Sequence, residues 1–264
     1  MEFVAVIETY DLTKQYGAFA AVSNLTLRVN PGELFGFLGP NGAGKSTTMK
    51  MLAGILVPTN GGARIAGYDV ATQPLETKAR LGYMAEEPLL YDKLTGREFL
   101  TFIADLYRVP KSLQSARIAQ LLGWFDLTDK AQELIESYSR GMRQKIALAA
   151  ALVHDPDVLI LDEPTSGLDP RAARVVKDLL QDEVHRGKTV LMSTHILEVA
   201  EQMVSRVGIM DHGRLIAVGT LDDLRTRARA ADASLEELFL RLTGGTEYHD
   251  FALAMGGAPP ERSQ

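Results

Sequence analysis

The sequence predicts an α/β fold in which a mainly parallel sheet carries an antiparallel β subdomain and an inserted helical subdomain, on three observations. First, the runs LFGFL (Leu34–Leu38), VLIL (Val158–Leu161) and TVLM (Thr189–Met192) are apolar at nearly every position. That is the pattern of strands buried on both faces of a parallel sheet. Second, residues from about 95 to 154 switch to helical spacing, in GREFLTFIADLY, ARIAQLLGWFDL and RGMRQKIALAAALV. Third, VAVIETYDLTKQY and SNLTLRVNPGE alternate as antiparallel strands do.

In chain order, the antiparallel strands come first and the run LFGFL follows. The helical insert, about 91–154, is closed by His154, Asp155 and Pro156, since proline cannot continue a helix. The other two apolar runs complete the core, which spans 1–90 and 155–225. A C-terminal extension, 226–264, contains SLEE (Ser234 to Glu237), a capping box before LFLRL, and ends in a Gly- and Pro-rich tail expected to be mobile.

Composition narrows the function. The chain has 264 residues, 46% hydrophobic and 23% charged, which suits a globular protein of one large domain or a core with a subdomain. A formal net charge of −6 and the lack of any Lys/Arg block argue against nucleic acid as a partner. Without cysteine there is neither a disulfide nor a thiolate metal site, which fits a reducing compartment. MEFVAVIETYDLTKQ reads as no signal peptide, and no apolar run approaches the ~18–20 residues that span a bilayer. Membrane work would therefore need another protein as anchor.

All three buried runs end abruptly in Gly or polar residues, as GPNGAGKST, DEPTSGLD and STH. Ligands of open α/β sheets collect at the carboxyl ends of strands, so one shared site is expected. Gly39–Ser46 is a full G-x-x-x-x-G-K-[ST] phosphate loop between a strand and a helix, which makes the core that of a P-loop NTPase. In such a loop the backbone of Gly39, Asn41, Gly42, Ala43 and Gly44 wraps phosphate oxygens. Lys45 reaches the β- and γ-phosphates, Ser46 ligates Mg2+, and Thr47 lies near the α-phosphate. Burying the carboxylate that ends VLILD requires a cation or a proton. Asp162 is accordingly a Mg2+ ligand, directly or through water, and Glu163 is placed to orient and deprotonate the attacking water. A second anion site is predicted where YSRGMRQK opens the helix IALAAALV, because a helix N-terminus offers free N–H groups.

GPNGAGKST, then YSRGMRQK about 95 residues later, then VLILDEPTSGLDP, then STH, resembles the nucleotide-binding subunit of an ABC transporter over residues 2–225. YMAEEPLLYDKLTGREFL and the SLEELFLRLTG ending resemble the separate ATPase chains of drug- and antibiotic-export systems. The resemblance implies a head-to-tail pair of ATPase chains, either two copies or a related subunit. Each Mg2+-ATP then lies between one chain's phosphate loop and the other's Ser139 and Gly141. It also implies Tyr16 against adenine, His195 on the γ-phosphate beside catalytic Glu163, and Asp169 of SGLD against the partner's phosphate loop. A polytopic membrane permease would hold the subunit at the cytoplasmic face, with a coupling surface near Glu86–Thr95.

Two departures stand out. Arg140 and Met142 replace the family's Gly and Gln in the signature. Arg140 either adds charge near the nucleotide or pairs at the surface. Glu86 stands where the family has the Gln that contacts Mg2+ and water. A soluble ABC-type ATPase without a transporter, for cofactor assembly or a similar task, is the alternative.

Overall fold

The computed structural model describes residues 6–194, 197–228, 230 and 233–243. The chain begins with strands β1 (Ile7–Tyr16), β2 (Phe19–Val29) and β3 (Leu34–Leu38), then helix α1 (Lys45–Leu52). Strands β4 (Asn60–Ile65) and β5 (Tyr68–Asp69), helix α2 (Pro74–Arg80) and strand β6 (Leu81–Met84) follow. Helices α3 (Gly96–Leu106), α4 (Lys111–Trp124) and α5 (Arg140–Leu152) form the helical stretch, with a 3-10 turn at Ile135–Ser137. The chain returns through β7 (Val158–Asp162), α6 (Pro170–His185), β8 (Thr189–Ser193), α7 (Leu197–Met203), β9 (Arg206–Asp211) and β10 (Arg214–Gly219). Helices α8 (Leu221–Ala228) and α9 (Leu235–Leu242) end the described chain.

Two sheets form. The antiparallel one runs β2-β1-β4-β5, and the central one runs β10-β9-β3-β8-β7-β6 with only β10 antiparallel. Every residue of β3, β7 and β8 is buried. Their side chains alternate between two apolar layers, which explains the unbroken hydrophobic runs. Phe35, Phe37, Ile160 and Leu191 pack toward α1 and the antiparallel sheet. Leu34, Leu159, Leu161 and Met192 pack in one cluster with Phe99, Leu121, Phe125 and Leu148 of the helical stretch. The inserted helices thus share a core with the sheet. Contact is tightest where α5 ends on β6: a Cβ on Gly82 would lie 2.2 Å from the Ala151 carbonyl oxygen, so a glycine interrupts that buried strand.

Two boundaries differ from the sequence pattern. Strands β7 and β8 each run one residue past their apolar stretch, because Asp162 and Ser193 pair across the ladder and the Ser193 hydroxyl donates to the Asp162 carboxylate. A division at residue 225 falls inside α8. Helix α9, opened by the capping box of Ser234 and Glu237, buries Leu235 and Leu238 against Leu38, Val207 and Ile209. Helices α8 and α9 therefore extend the core. The tail, 244–264, lies outside the described residues. Among the described residues no helix is long and apolar enough to cross a membrane.

His154, between α5 and β7, is a structural residue. Its ring stacks on Tyr107 with centroids 3.7 Å apart, and its Nε2 lies 3.2 Å from the Leu81 carbonyl oxygen, so the Nε2–H tautomer donates there. Burial pushes its pKa down to about 4, with Lys188 and Arg117 adding to the fall and the Leu81 carbonyl and Asp155 opposing it. The unfolded chain takes up this proton near 6.5, so the contribution is complete above that pH and is lost as pH falls toward 4. The gap corresponds to about 3 kcal/mol, with about 2 kcal/mol of it gone by pH 5. Melting temperatures at pH 7 and pH 5 should therefore fall further for the parent than for His154→Gln. Equal falls would contradict the assignment.

Candidate active site

The phosphate loop leaves β3 at Gly39 and enters α1 at Lys45. Gly44 caps the helix with φ 101°, and a Cβ there would lie 2.4 Å from the Ala21 carbonyl oxygen, so only glycine serves both turn and contact. Asn41 and Gly42 are exposed at the tip, Ala43 is buried beneath it, and Ser46 and Thr47 are half-buried in the first turn. Lys45 is buried, 7% exposed, and its Nζ donates to the carbonyl oxygens of Gly39 at 2.6 Å and Pro40 at 3.0 Å. Burial pushes its pKa down, and the carboxylates of Glu163, Asp162 and Glu86 push it up. Those three carboxylates, at or just after the ends of β7 and β6, therefore act electrostatically on one buried ammonium.

Asp162 and Glu163 are only 2% and 5% exposed, which contradicts a solvated acidic turn. Ser193 at the end of β8 links them: its hydroxyl donates to Asp162 Oδ1 at 2.5 Å and accepts the Glu163 N–H at 3.0 Å. Glu163 has φ 51°, a left-handed conformation that is uncommon outside glycine and that marks functional turns when the surroundings enforce it. Its carbonyl oxygen accepts from both the Ser166 N–H and Gln144 Nε2, each at 3.0 Å.

A cavity of about 610 Å3 opens beside these groups, lined by Ser46, Lys50, Tyr83, Glu86, Leu89 and Asp162. Two expected Mg2+ ligands, Ser46 and Asp162, thus share a wall with the exposed Glu86. Among the described residues no group of three or more His, Asp or Glu could hold a metal unaided. That suits Mg2+, which takes one or two protein oxygens and completes its shell with water and phosphate. The oxygen donors present fit that ion.

The signature region lies elsewhere on the chain's surface. Ser139 caps α5 by accepting the Met142 N–H at 3.3 Å. Gly141 sits against the next loop, where a Cβ on it would lie 3.4 Å from the Gly167 carbonyl oxygen. Arg140 lies along Gly167, its Nε 3.0 Å from where a Cβ would be, and among the described residues it makes no ion pair. Asp169 caps α6 through the Ala172 N–H at 2.9 Å, the bond that chiefly lowers its pKa. Among the described residues no hydrogen bond joins Ser139 or Gly141 to the phosphate loop of the same chain.

Tyr16 ends β1 opposite Phe19, 52% exposed, with Lys14 Nζ 5.2 Å above its ring. The neighbouring strand β2 supplies the Ala21 carbonyl that abuts Gly44, so this hairpin borders the phosphate loop. His195 lies outside the described residues. The sequence did not single out Ser193, Gln144 or Tyr83. Ser193 carried a signal as the first polar residue after TVLM. Gln144 gave only one more polar position among Arg140, Arg143 and Lys145 in the first half of α5.

A family model described as ABC transporter matches residues 22–166. The probable multidrug ABC transporter ATP-binding protein YbhF of Escherichia coli is 40% identical over 90% of this chain. The chain spans 41% of that protein's length. The daunorubicin/doxorubicin resistance ATP-binding protein DrrA of Streptomyces peucetius is 42% identical over 83% of this chain and 67% of its own. A solved structure of an ATP binding subunit of an ABC transporter superposes with TM-score 0.86 at 36% identity, covering 90% of this chain and 99% of that one.

Proposed function

The chain belongs to the ABC transporter family, and from that premise we propose that it is a Mg2+-dependent ATPase subunit powering export through a separate membrane protein. The observation that carries this is the buried Lys45, held on the carbonyls of its own loop and attracted by the carboxylates of Asp162, Glu163 and Glu86, with Asp162 and Glu86 lining one cavity together with Ser46. A lone buried ammonium is costly, and so are packed carboxylates. Together they form a preorganised cradle for a phosphate chain and its counterion.

In this reading the backbone of residues 39–44 and the Lys45 ammonium hold the β- and γ-phosphates of ATP, and Thr47 lies near the α-phosphate. Ser46 and Asp162 would hold Mg2+, with Glu86 on the same cavity wall. Bound there, Mg2+ neutralises charge on the β- and γ-oxygens. Glu163 takes the proton of the attacking water, His195 steadies the γ-phosphate, and Tyr16 offers an exposed ring face to adenine. Ser139 and Gly141, at the open N-terminus of α5, face the γ-phosphate held by a second ATPase chain, and Asp169 meets that chain's phosphate loop. Nucleotide then joins two chains, and hydrolysis releases them.

The coupling surface follows the cavity rim. Leu89 is 97% exposed, and Tyr91, 58% exposed, stands edge-on to Phe102, while Leu90 and Leu94 turn inward to the core. An apolar rim beside a polar site suits a loop of a membrane subunit at the inner face of the membrane. Relatives named for drug resistance and multidrug transport support the export reading over a soluble ATPase. The test is phosphate release by the purified chain with its membrane partner. Release should require Mg2+ and stop with EDTA. Hydrolysis that persists in EDTA would overturn the assignment.

A further inference from the structure

Gln144 ties α5, the helix opened by the signature, to the backbone of Glu163. It is 4% exposed, on a helix whose inner face is otherwise Ile146, Ala147, Leu148 and Ala151. A polar amide in such a place has to be used, and here Nε2 donates to the Glu163 carbonyl oxygen at 3.0 Å. The same carbonyl accepts the Ser166 N–H, and the Glu163 N–H is held by Ser193. The peptide groups on both sides of Glu163 are thus fixed, and the residue between them sits at φ 51°. A left-handed glutamate persists only where neighbours over-determine it.

We propose that Gln144 is a positioning residue: it holds the Glu163 backbone in its left-handed turn and so fixes where the Glu163 carboxylate stands next to Asp162. Gln144 lies five residues after Ser139 on α5, so any shift of that helix end is passed to Glu163 through one hydrogen bond. The catalytic part of this inference rests on the proposed ATPase reading, and the backbone part does not. Without Gln144, the bond on the carbonyl side of the turn among the described residues is the local Ser166 amide, whose loop also carries the contact with Arg140.

The experiment compares the parent with Gln144→Met, which fills similar volume without a donor, and Gln144→Ala. Amide exchange of residues 163–168 is measured by mass spectrometry, alongside ATP affinity and steady-state hydrolysis. In Gln144→Met the exchange should accelerate locally, with the rest of the core unchanged. ATP affinity should stay within about twofold, and kcat should fall about 10- to 100-fold, as expected for a small misplacement of a catalytic group. Unchanged exchange at 163–168 in a folded variant would overturn the proposal. So would accelerated exchange with unchanged kcat, or a loss appearing only in KM. Global exchange in both variants would mean a general packing role and would overturn it too. A parent that hydrolyses no ATP would sink the functional reading instead, while the exchange result would still decide whether Gln144 holds the turn.

Discussion

Glu163→Gln should lower ATP turnover about 1000-fold while ATP affinity stays within about twofold of the parent, since a positioned general base contributes roughly 10²–10⁴-fold. That fall corresponds to about 4 kcal/mol of transition-state stabilisation. The separation of binding from chemistry follows from the geometry. Glu163 is held through its backbone, by Ser193 on one side and Gln144 and Ser166 on the other. None of those bonds uses the carboxylate, so an amide of the same shape keeps all three of them. Lys45, Ser46 and the loop backbone, which would carry the nucleotide, are untouched. Since hydrolysis is the proposed release step, the variant should also accumulate as an ATP-bound pair of chains, seen as doubled mass by light scattering with Mg2+-ATP. Parent-like phosphate release would remove Glu163 from the role of base. A variant that stays monomeric at saturating ATP, alone and with its membrane partner, would remove the composite pocket.

How far the sequence foretold this site depends on what kind of interaction builds each part. The phosphate loop was legible because its chemistry is local: eight consecutive residues form the turn, the cradle and the cation. The strands carrying Asp162 and Ser193 were legible as apolar runs, because burial on both faces leaves no alternative to hydrophobic side chains. The final residues of those strands were not, since Asp162 enters the sheet only through its pairing with Ser193, 31 positions away. Gln144 was missed for the same reason, its partner being 19 positions off. The sequence also did not foretell that the Arg140 side chain lies along Gly167, a contact across 27 positions. The helical insert was visible from its period, but not that its core continues into the sheet. That continuity is set by alternation within β7 and β8, and periodicity alone does not say what covers each face.

Lys45→Met should weaken ATP binding at least 100-fold and leave the protein as stable as the parent or more so. The two effects have opposite signs for one physical reason. In the described state the Lys45 ammonium is buried on the carbonyl oxygens of Gly39 and Pro40, and burial outweighs the attraction of three nearby carboxylates in setting its pKa below the usual lysine range. The folded protein therefore carries this charge at a cost. An apolar side chain of similar length removes that cost and keeps the volume, and because burial outweighs the attraction, the saving offsets the attraction lost from the carboxylates. Binding depends on the same charge in the other direction. Hydrogen bonds from an ammonium to phosphate are worth about 1.5–3 kcal/mol each, and two of them correspond to a 100-fold or greater loss. Without Lys45 the carboxylates of Asp162, Glu163 and Glu86 also stand uncompensated before the incoming anion. Titration with a fluorescent ATP analogue, next to a thermal melt without nucleotide, measures both quantities. If affinity fell together with a melting temperature lowered by several degrees, the lysine would be a structural prop and not the residue that grips the phosphates.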